Sequence, residues 1–374
     1  MCRIITVVRS NPICSEPRLH RCAKALAETG EKVRVLVWNR GNIASFNAKE
    51  FRTPYEVLQV KLRAPSGGFY VIPFLPIWMM YQFVYHLISP AKIIHACDLD
   101  TLIPALLANI IRKKKIVYDV YDLYAERQPP APQKLRKLVT WFEKFLMRFA
   151  DIVILADESR YEQIRGTKLQ KSLVIYNSPE DIIQSIEDSN FKECRKTFRI
   201  FYAGKIGIGR GIEDIIKAIE GMDDVEFLIA GFEGLHMKSI MRLIDRSINV
   251  RYLGAITHEE VIKLTLSADM LFALYDPSIP MNKYASPNKL FEAMLCGKPI
   301  VVSSGTSMAK IVEKEKCGLV VPYGDIGRLR CAINLLKNNP EFAKRLGMNG
   351  RRAYQKKYSW RIMKQRLIEA YSSL

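Results

Sequence analysis

Short apolar runs alternate with amphipathic stretches of helical period twice along this chain, and that rhythm restricts it to a parallel α/β architecture. Runs rich in Val, Ile and Leu at 3–8, 32–38, 93–95, 115–119, 151–156 and 173–176 read as strands covered on both faces. Helical period links them. At 19–28, Leu19, Cys22, Ala23 and Leu26 share one face and Gly30 closes the turn, and similar stretches run through 101–112 and 135–149. A polar segment at 178–197 interrupts the pattern, which restarts with strands expected at 199–203, 226–230, 250–253, 270–273 and 300–302. The helices between these are expected at 212–219, 237–247 and 259–267, with one following Ser286 and others running on to the C terminus. We therefore expect two Rossmann-like parallel-sheet domains, 1–190 and 198–357, joined by a linker at 191–197, with the carboxyl ends of both sheets facing a central cleft.

The cysteines at 2, 14, 22, 97, 194, 296, 317 and 331 form no Cys-x-x-Cys pair, and only five histidines accompany them. Neither a zinc site nor a disulfide framework is suggested, and a reducing cytoplasm is the expected compartment. The start offers only Ile4 to Val8 before Arg9, too short for a signal-peptide core. A formal charge of +19 calls for an anionic partner: nucleotide phosphate, lipid phosphate, an anionic membrane surface or nucleic acid. Residues 328–374 are especially basic, with 12 Lys or Arg against Glu341 and Glu369, but no aromatic RNA-binding signature or arginine-rich arm favours nucleic acid.

Between Arg63 and Lys92 no residue is charged. Pro73 and Pro76 interrupt this stretch. From Ile77 onward Trp78, Gln82, Tyr85, His86 and Ser89 fall near one helical face, with Met80, Val84, Leu87 and Ile88 on another. A core helix on a sheet, a membrane-interface helix and a true span are all compatible with residues 69–88.

The most chemically informative stretch is 284–299. Ser286 is a natural N-cap, Pro287 suits the first helical position, and Gly297 followed by Pro299 ends the helix before the strand at 300–302. The free amides of Asn288, Lys289 and Leu290 would then form an anion-binding end. Glu292 lies on the same side as Asn288 and Lys289 and leans toward the N terminus, within reach of a ribose hydroxyl beside a bound phosphate. A second candidate is the turn at 204–211, where Gly204, Gly207, Gly209 and Gly211 surround Lys205 and Arg210 after a strand. Gly207 and Gly209 would let backbone approach a diphosphate while the two cations supply charge. The spacing is neither a Walker loop nor the dinucleotide Gly-x-Gly-x-x-Gly.

Together, Gly204-Lys205 to Arg210-Gly211 and Ser286-Pro287-Asn288-Lys289-Leu290-Phe291-Glu292 through Gly297-Lys298-Pro299 resemble the donor-binding half of glycosyltransferase family 4, the retaining enzymes of the GT-B fold. The likeness extends to 17–30, to Ile94-His95-Ala96-Cys97-Asp98, to Val174-Ile175-Tyr176-Asn177-Ser178, to 249–254 and to Tyr358-Ser359-Trp360. By that resemblance residues 358–374 form a terminal helix crossing back to the first domain. Lys205 and Arg210 would contact the diphosphate of a UDP- or GDP-sugar, the amides after Pro287 its distal phosphate, and Glu292 the ribose. Catalysis would be metal-independent and need no cofactor, with the leaving diphosphate drawing the acceptor proton.

The chain departs from the family at three positions. Tyr284 stands where the motif has its first glutamate, Tyr121 where a histidine usually faces the transferred sugar, and Cys97 where a second histidine is common. Tyr121 can still donate a hydrogen bond and Asp122 can orient an acceptor hydroxyl, or both can be buried polar partners. Asp98-Leu99-Asp100 is read as structural rather than metal-binding. The uncharged stretch, the basic surface and Arg112-Lys113-Lys114-Lys115 point to a lipid-linked glycan or polyprenyl-phosphate acceptor at the inner face of a membrane. A nucleotide-sugar epimerase and a non-catalytic nucleotide-sugar binder are the alternatives.

Overall fold

The computed structural model describes residues 2–11, 17–41, 53–65, 69–127, 132–186, 197–232 and 237–374. Contacts divide the chain into two units, Met1–Tyr176 with Lys364–Leu374, and Asn177–Met363. Each is an α/β unit around one parallel sheet, in agreement with the sequence.

The first sheet holds β1 Ile4–Arg9, β2 Lys32–Asn39, β3 Glu56–Lys61, β4 Ile93–Cys97, β5 Lys115–Val120, β6 Ile152–Leu155 and β7 Ser172–Val174, in the order β3-β2-β1-β4-β5-β6-β7. The second holds β8 Phe198–Ala203, β9 Val225–Ala230, β10 Val250–Tyr252, β11 Met270–Ala273, β12 Ile300–Ser303 and β13 Gly318–Val321, in the order β10-β9-β8-β11-β12-β13. The sequence reading lacked β3 and β13. Both are edge strands: Glu56, Gln59 and Lys61 interrupt the apolar residues of β3, whereas β13, Gly318-Leu319-Val320-Val321, is an apolar run that the reading passed over. Each sheet reverses its order once, between β1 and β4 and between β8 and β11, and such a switch point opens a crevice at the carboxyl ends of its strands.

The helices that matter below are α1 Pro17–Ala27, α2 Leu75–Ile88, α3 Leu99–Arg112, α4 Gln133–Met147, α5 Asn288–Leu295, α6 Pro340–Ala353 and α7 Trp360–Ser372. Right-handed crossovers from β3 to β4, β4 to β5 and β5 to β6 all run the same way along the sheet. They therefore put α2, α3 and α4 on one face, and α1 on the other. Within that layer α2 packs on α3, and α3 on α4.

Helix α2 is folded inside out. Its polar residues Gln82 and His86 are buried with Trp78, which stacks on Trp38 at 5.5 Å and donates to Ser10 Oγ at 2.7 Å. Gln82 donates to the Asp100 carbonyl at 3.3 Å. Ile77, Met80, Tyr81, Val84 and Ile88 face outward instead. The helical run Tyr70–Ile88 is long and apolar enough to cross a membrane by length and composition. Trp78 fastens it to the sheet and Gln82 to α3, with His86 buried beside them, so it is not a core helix packed by its apolar side. Burial pushes the His86 imidazole down to about 3, with Lys114 adding to the shift.

The expected boundary near 190 falls instead at Tyr176–Asn177, because the residues after it bond within the second unit. Asn177 Nδ2 donates to Ser286 O at 2.8 Å, Tyr354 Oη to Pro179 O at 2.8 Å, and Arg351 pairs with Asp181 at 2.9 Å. The expected linker at 191–197 lies, except for Thr197, outside the described residues. From Lys364 on, the terminal helix belongs to the first unit: Tyr371 Oη lies 2.6 Å from His95 Nδ1, and Lys364 pairs with Glu28 at 2.5 Å.

Candidate functional site

The second unit gathers the donor-site candidates at its switch point. From β8 the chain enters the glycine turn, where Gly209 and Gly211 have φ of 76° and 71°. A Cβ on Gly211 would lie 2.3 Å from Leu274 Cβ, and one on Gly209 would lie 2.8 Å from Ile279 Cδ1. The backbone conformation of Gly209 and its close packing on the loop after β11 by themselves require glycine. Gly209 O accepts from Asp276 N at 3.1 Å and from Asn282 Nδ2 at 3.3 Å. Tied down in this way, the turn sets the Arg210 guanidinium 4.1 Å from the Tyr275 ring centroid. Lys205 is exposed beside it, and its carbonyl accepts from Tyr202 Oη at 2.7 Å.

Helix α5 enters from the opposite side of the switch point. Its approach is fixed by Asn177 on the Ser286 carbonyl and by Ser307 Oγ on the Ala285 carbonyl at 2.9 Å. The N-cap is Pro287, one residue later than the sequence suggested, and Ser286 makes no capping bond. Proline fixes its own φ near the value found here, −75°, and its extended ψ delays the first helical residue to Asn288. Ser286 Oγ is buried with no hydrogen-bond partner. Leu290 N donates to Pro287 O at 3.2 Å, closing a tight first turn, so that amide is spent. Only the amides of Asn288 and Lys289 lie ahead of the first acceptor, so the helix start offers two free donors rather than the expected three.

The far end of α5 is as the sequence predicts. Gly297 has φ 64°, its amide bonds Met294 O at 3.2 Å and the Lys298 amide bonds Ala293 O at 2.9 Å, a Schellman closure. Arg351 of α6 donates to the Leu295 carbonyl at 2.6 Å. Leu290, Phe291, Ala293, Met294 and Leu295 are all buried, so the helix is anchored on three sides and its first turn cannot drift.

Lys289 is the feature the sequence missed. Its amide was the expected contributor, but its side chain turns inward, with Nζ buried and unpartnered 3.4 Å from the Tyr202 ring centroid. A Cβ placed on Gly204 would lie 3.5 Å from that Nζ, which puts the amine directly against the glycine turn. Burial pushes the ammonium well below its ordinary value, Arg210 adds to that, and Glu292 opposes it. An uncompensated buried amine beside a second cation is costly unless an anion arrives. Glu292, buried one turn further on, has Oε1 3.5 Å from His258 Nε2. His258 also escaped the sequence reading. Thr257 and Glu260 form a capping box around the first turn of the helix His258–Ser267, and that legible signal could have placed the histidine at a helix start. Tyr284 follows the short helix Pro280–Lys283, with the Lys283 ammonium 5.4 Å from its ring centroid.

At the first unit's switch point Arg9, ending β1, pairs with Asp98, which follows β4; both are buried. Asp98 has φ 75° and ψ 166°, a conformation close to glycine-only, held by that pair. Its structural reading thus has a definite partner. Tyr121 lies under the Arg9 guanidinium at 4.0 Å and near that of Arg18 at 5.3 Å. Asp122 pairs with Arg160 at 2.6 Å, which supports its reading as a structural polar partner. These two residues belong to the first unit, while Lys205, Arg210 and Glu292 belong to the second. His95, Cys97 and Asp119 bring one potential metal-ligating atom each within 4.8 Å. Asp119, however, is bidentate to Arg18 at 2.7 and 3.0 Å. Burial raises its carboxyl, but Arg18 and His95 outweigh that and hold it at about 2.

Two parallel-sheet α/β units of this kind make up the GT-B fold. Comparison with known proteins agrees. Residues 184–353, somewhat less than half of the chain, match the family model described as "Glycosyl transferases group 1". An uncharacterized glycosyltransferase of Methanocaldococcus jannaschii is 23% identical over 236 residues, 63% of each chain. A GDP-mannose-dependent monoacylated phosphatidylinositol monomannoside mannosyltransferase of Corynebacterium glutamicum is 29% identical over 173 residues, 44% of each. The alignments thus span less than two thirds of these relatives' own length. The crystal structure of Anabaena HepE with UDP and glucose superposes with a TM-score of 0.74 over all of both chains, at 17% identity.

Proposed function

We propose that the protein is a retaining, metal-independent glycosyltransferase that moves a hexose from a UDP- or GDP-sugar to a lipid-linked glycan or polysaccharide precursor at the cytoplasmic face of a membrane. The observation that carries this reading is the buried, unpartnered Lys289 amine beside Arg210, the glycine turn and the first amides of α5. Arg210 and Lys289 both lie at the Tyr275 ring, and Glu292 is the carboxylate that opposes the lowering of Lys289. A diphosphate would satisfy Lys289 and the Asn288 and Lys289 amides, with Arg210 and the exposed Lys205 on its outer oxygens. Glu292 would accept from the ribose hydroxyls, oriented by His258.

As the bond from the anomeric carbon to the phosphate oxygen breaks, charge develops on that oxygen, and fixed cations and amides stabilise it without reorganising. The acceptor oxygen bonds the same face of the anomeric carbon and passes its proton to the departing diphosphate. Tyr121, held between Arg9 and Arg18, is proposed to touch the sugar or acceptor, and Asp122 to act through Arg160 as a positioning residue. The GDP-mannose dependence of the corynebacterial relative and the UDP and glucose bound to Anabaena HepE both favour a nucleoside diphosphate sugar, without choosing its base. A calorimetric screen of UDP- and GDP-sugars tests the reading. One should bind wild type, weaken with Glu292→Ala, and support transfer to a polyprenyl-linked acceptor with release of nucleoside diphosphate; if none binds, the reading is wrong.

A further inference from the structure

The helical layer α2–α3–α4 leaves its outer surface apolar. Helix α2 exposes Ile77, Met80, Tyr81, Val84 and Ile88, and α3 exposes Leu107, Ile110 and Ile111. Helix α4 exposes Leu135, Leu138, Trp141, Phe142 and Phe145, followed by Phe149. Because these helices adjoin one another on one face of the sheet, the side chains form a continuous layer rather than scattered residues. Trp141 stacks on Phe145 at 5.9 Å, and Phe145 meets Phe149 edge-on at 5.3 Å, an aromatic ladder directed away from the core.

Charge specifies what covers it. Helix α4 carries Lys134, Arg136, Lys137 and Lys144, with Arg148 just beyond, and Arg112 and Lys113 sit at the end of α3. The only carboxylate on α4, Glu143, is turned inward, where it accepts from Tyr118 Oη at 2.6 Å and Tyr124 N at 2.9 Å. On α3 the single carboxylate, Asp100, is buried, and α2 has none. Beside α4 lies a groove of about 620 Å³ lined by Arg136, Lys144, Arg148 and Arg165 together with Trp141 and Phe145. Glu126 is the one acid on its wall; burial pushes its carboxyl up, and Gln163 donates to it at 2.8 Å. Aromatic side chains that can enter an acyl boundary, ringed by cations without exposed carboxylates, match an anionic bilayer surface.

We infer that the protein docks on anionic phospholipid bilayers through the outer face of α2, α3 and α4, with Trp141, Phe145 and Phe149 at headgroup depth and phosphate headgroups in the α4 groove. This rests on the reading of a membrane-borne acceptor and names the surface that meets the membrane. The protein contains its own probe. Of the four tryptophans, Trp38, Trp78 and Trp360 are buried and Trp141 is 62% exposed. Vesicles of phosphatidylglycerol with brominated acyl chains should quench the protein's fluorescence, and Trp141→Phe should remove most of the quenching.

In flotation, Trp141→Ser with Phe145→Ser should weaken binding to phosphatidylglycerol vesicles by roughly tenfold or more, and Arg136→Glu with Arg148→Glu should abolish the preference over phosphatidylcholine. Calorimetry with the nucleotide sugar, whose site is in the other unit, should be unchanged in all three variants and certifies their fold. Vesicle binding that is absent, or equal in wild type and variants, overturns the inference while leaving donor binding to stand or fall separately. Lipid-free, concentration-dependent dimerisation that shields Trp141 would also overturn it, in favour of a second copy on this face.

Discussion

The two units solve the same folding problem and finish it differently. Of the 22 large apolar side chains exposed among the described residues, 17 lie in the first unit and five in the second. The second unit uses its apolar residues to immobilise a helix end, as Phe291 does by packing 5.6 Å from Tyr358. Its unusual residues are polar ones held in the interior, such as Lys289 and Ser286. The first unit, beside its buried core, keeps a layer of apolar residues on the surface and turns polar ones, Gln82, His86 and Glu143, inward, where Gln82 bonds α3 and Glu143 bonds Tyr118 of the sheet. A sequence pattern alone therefore does not say which face of a helix is inside. On the readings proposed above, the partner each face awaits decides it: a nucleoside diphosphate in one unit, a bilayer surface in the other.

Aromatic truncation should show the largest contrast. Phe291→Ala, in a fully buried site, should lower stability by about 3–5 kcal/mol in urea unfolding. Trp141→Ala should change it by no more than about 0.5 kcal/mol, as at an exposed position. Equal losses would erase the distinction between the units.

Next in size is the buried amine. Lys289→Met should weaken nucleotide-sugar binding by roughly 30- to 100-fold, the scale of a charge-assisted contact worth about 2–3 kcal/mol. Because burial lowers the Lys289 ammonium well below its ordinary value, a bound diphosphate should raise it again, and binding should take up a proton. Binding enthalpy should accordingly depend on the buffer's ionisation enthalpy in wild type and lose most of that dependence in Lys289→Met. Independence in the wild type would show the amine to be charged already.

A smaller effect concerns pH. His86 is held neutral, its pKa lowered from 6.5 to about 3 by burial and by Lys114. Between those values the unfolded chain binds a proton that the folded chain does not, so stability is fully present above about pH 6.5 and falls as pH drops toward 3. His86→Gln should flatten that part of the thermal-melting profile. An unchanged profile would remove the inside-out packing of α2 as a source of acid sensitivity.

Much of this was legible. The doubly repeated strand and helix rhythm shows both sheets, and Gly297-Lys298-Pro299 marks the end of α5, because local chemistry sets both. The start of α5 was misread by one residue, since Ser286 looks like a cap until Pro287 is allowed its extended ψ and Asn177 and Ser307 are seen holding the preceding carbonyls. Lys289 was assigned only its amide because nothing local shows that its side chain lies over Tyr202, 87 residues earlier in the chain. Residues 69–88 remained open between core, interface and span for a related reason: periodicity separates two faces without saying which one the sheet takes. β3 was missed because Glu56, Gln59 and Lys61 break up its apolar residues, while the apolar run of β13 was legible and went unread.

The central claim is that the switch point of the second unit is a diphosphate-sugar site completed by Glu292 and Lys289. Isothermal calorimetry of wild type, Glu292→Ala and Lys289→Met with UDP, GDP and their sugars tests it most directly. One nucleotide family should bind wild type. Glu292→Ala should weaken the nucleoside diphosphate and its sugar alike, since it acts on the ribose, and Lys289→Met should also weaken inorganic pyrophosphate. Binding of the same ligands with the same affinity to all three proteins would place the nucleotide elsewhere and contradict the account.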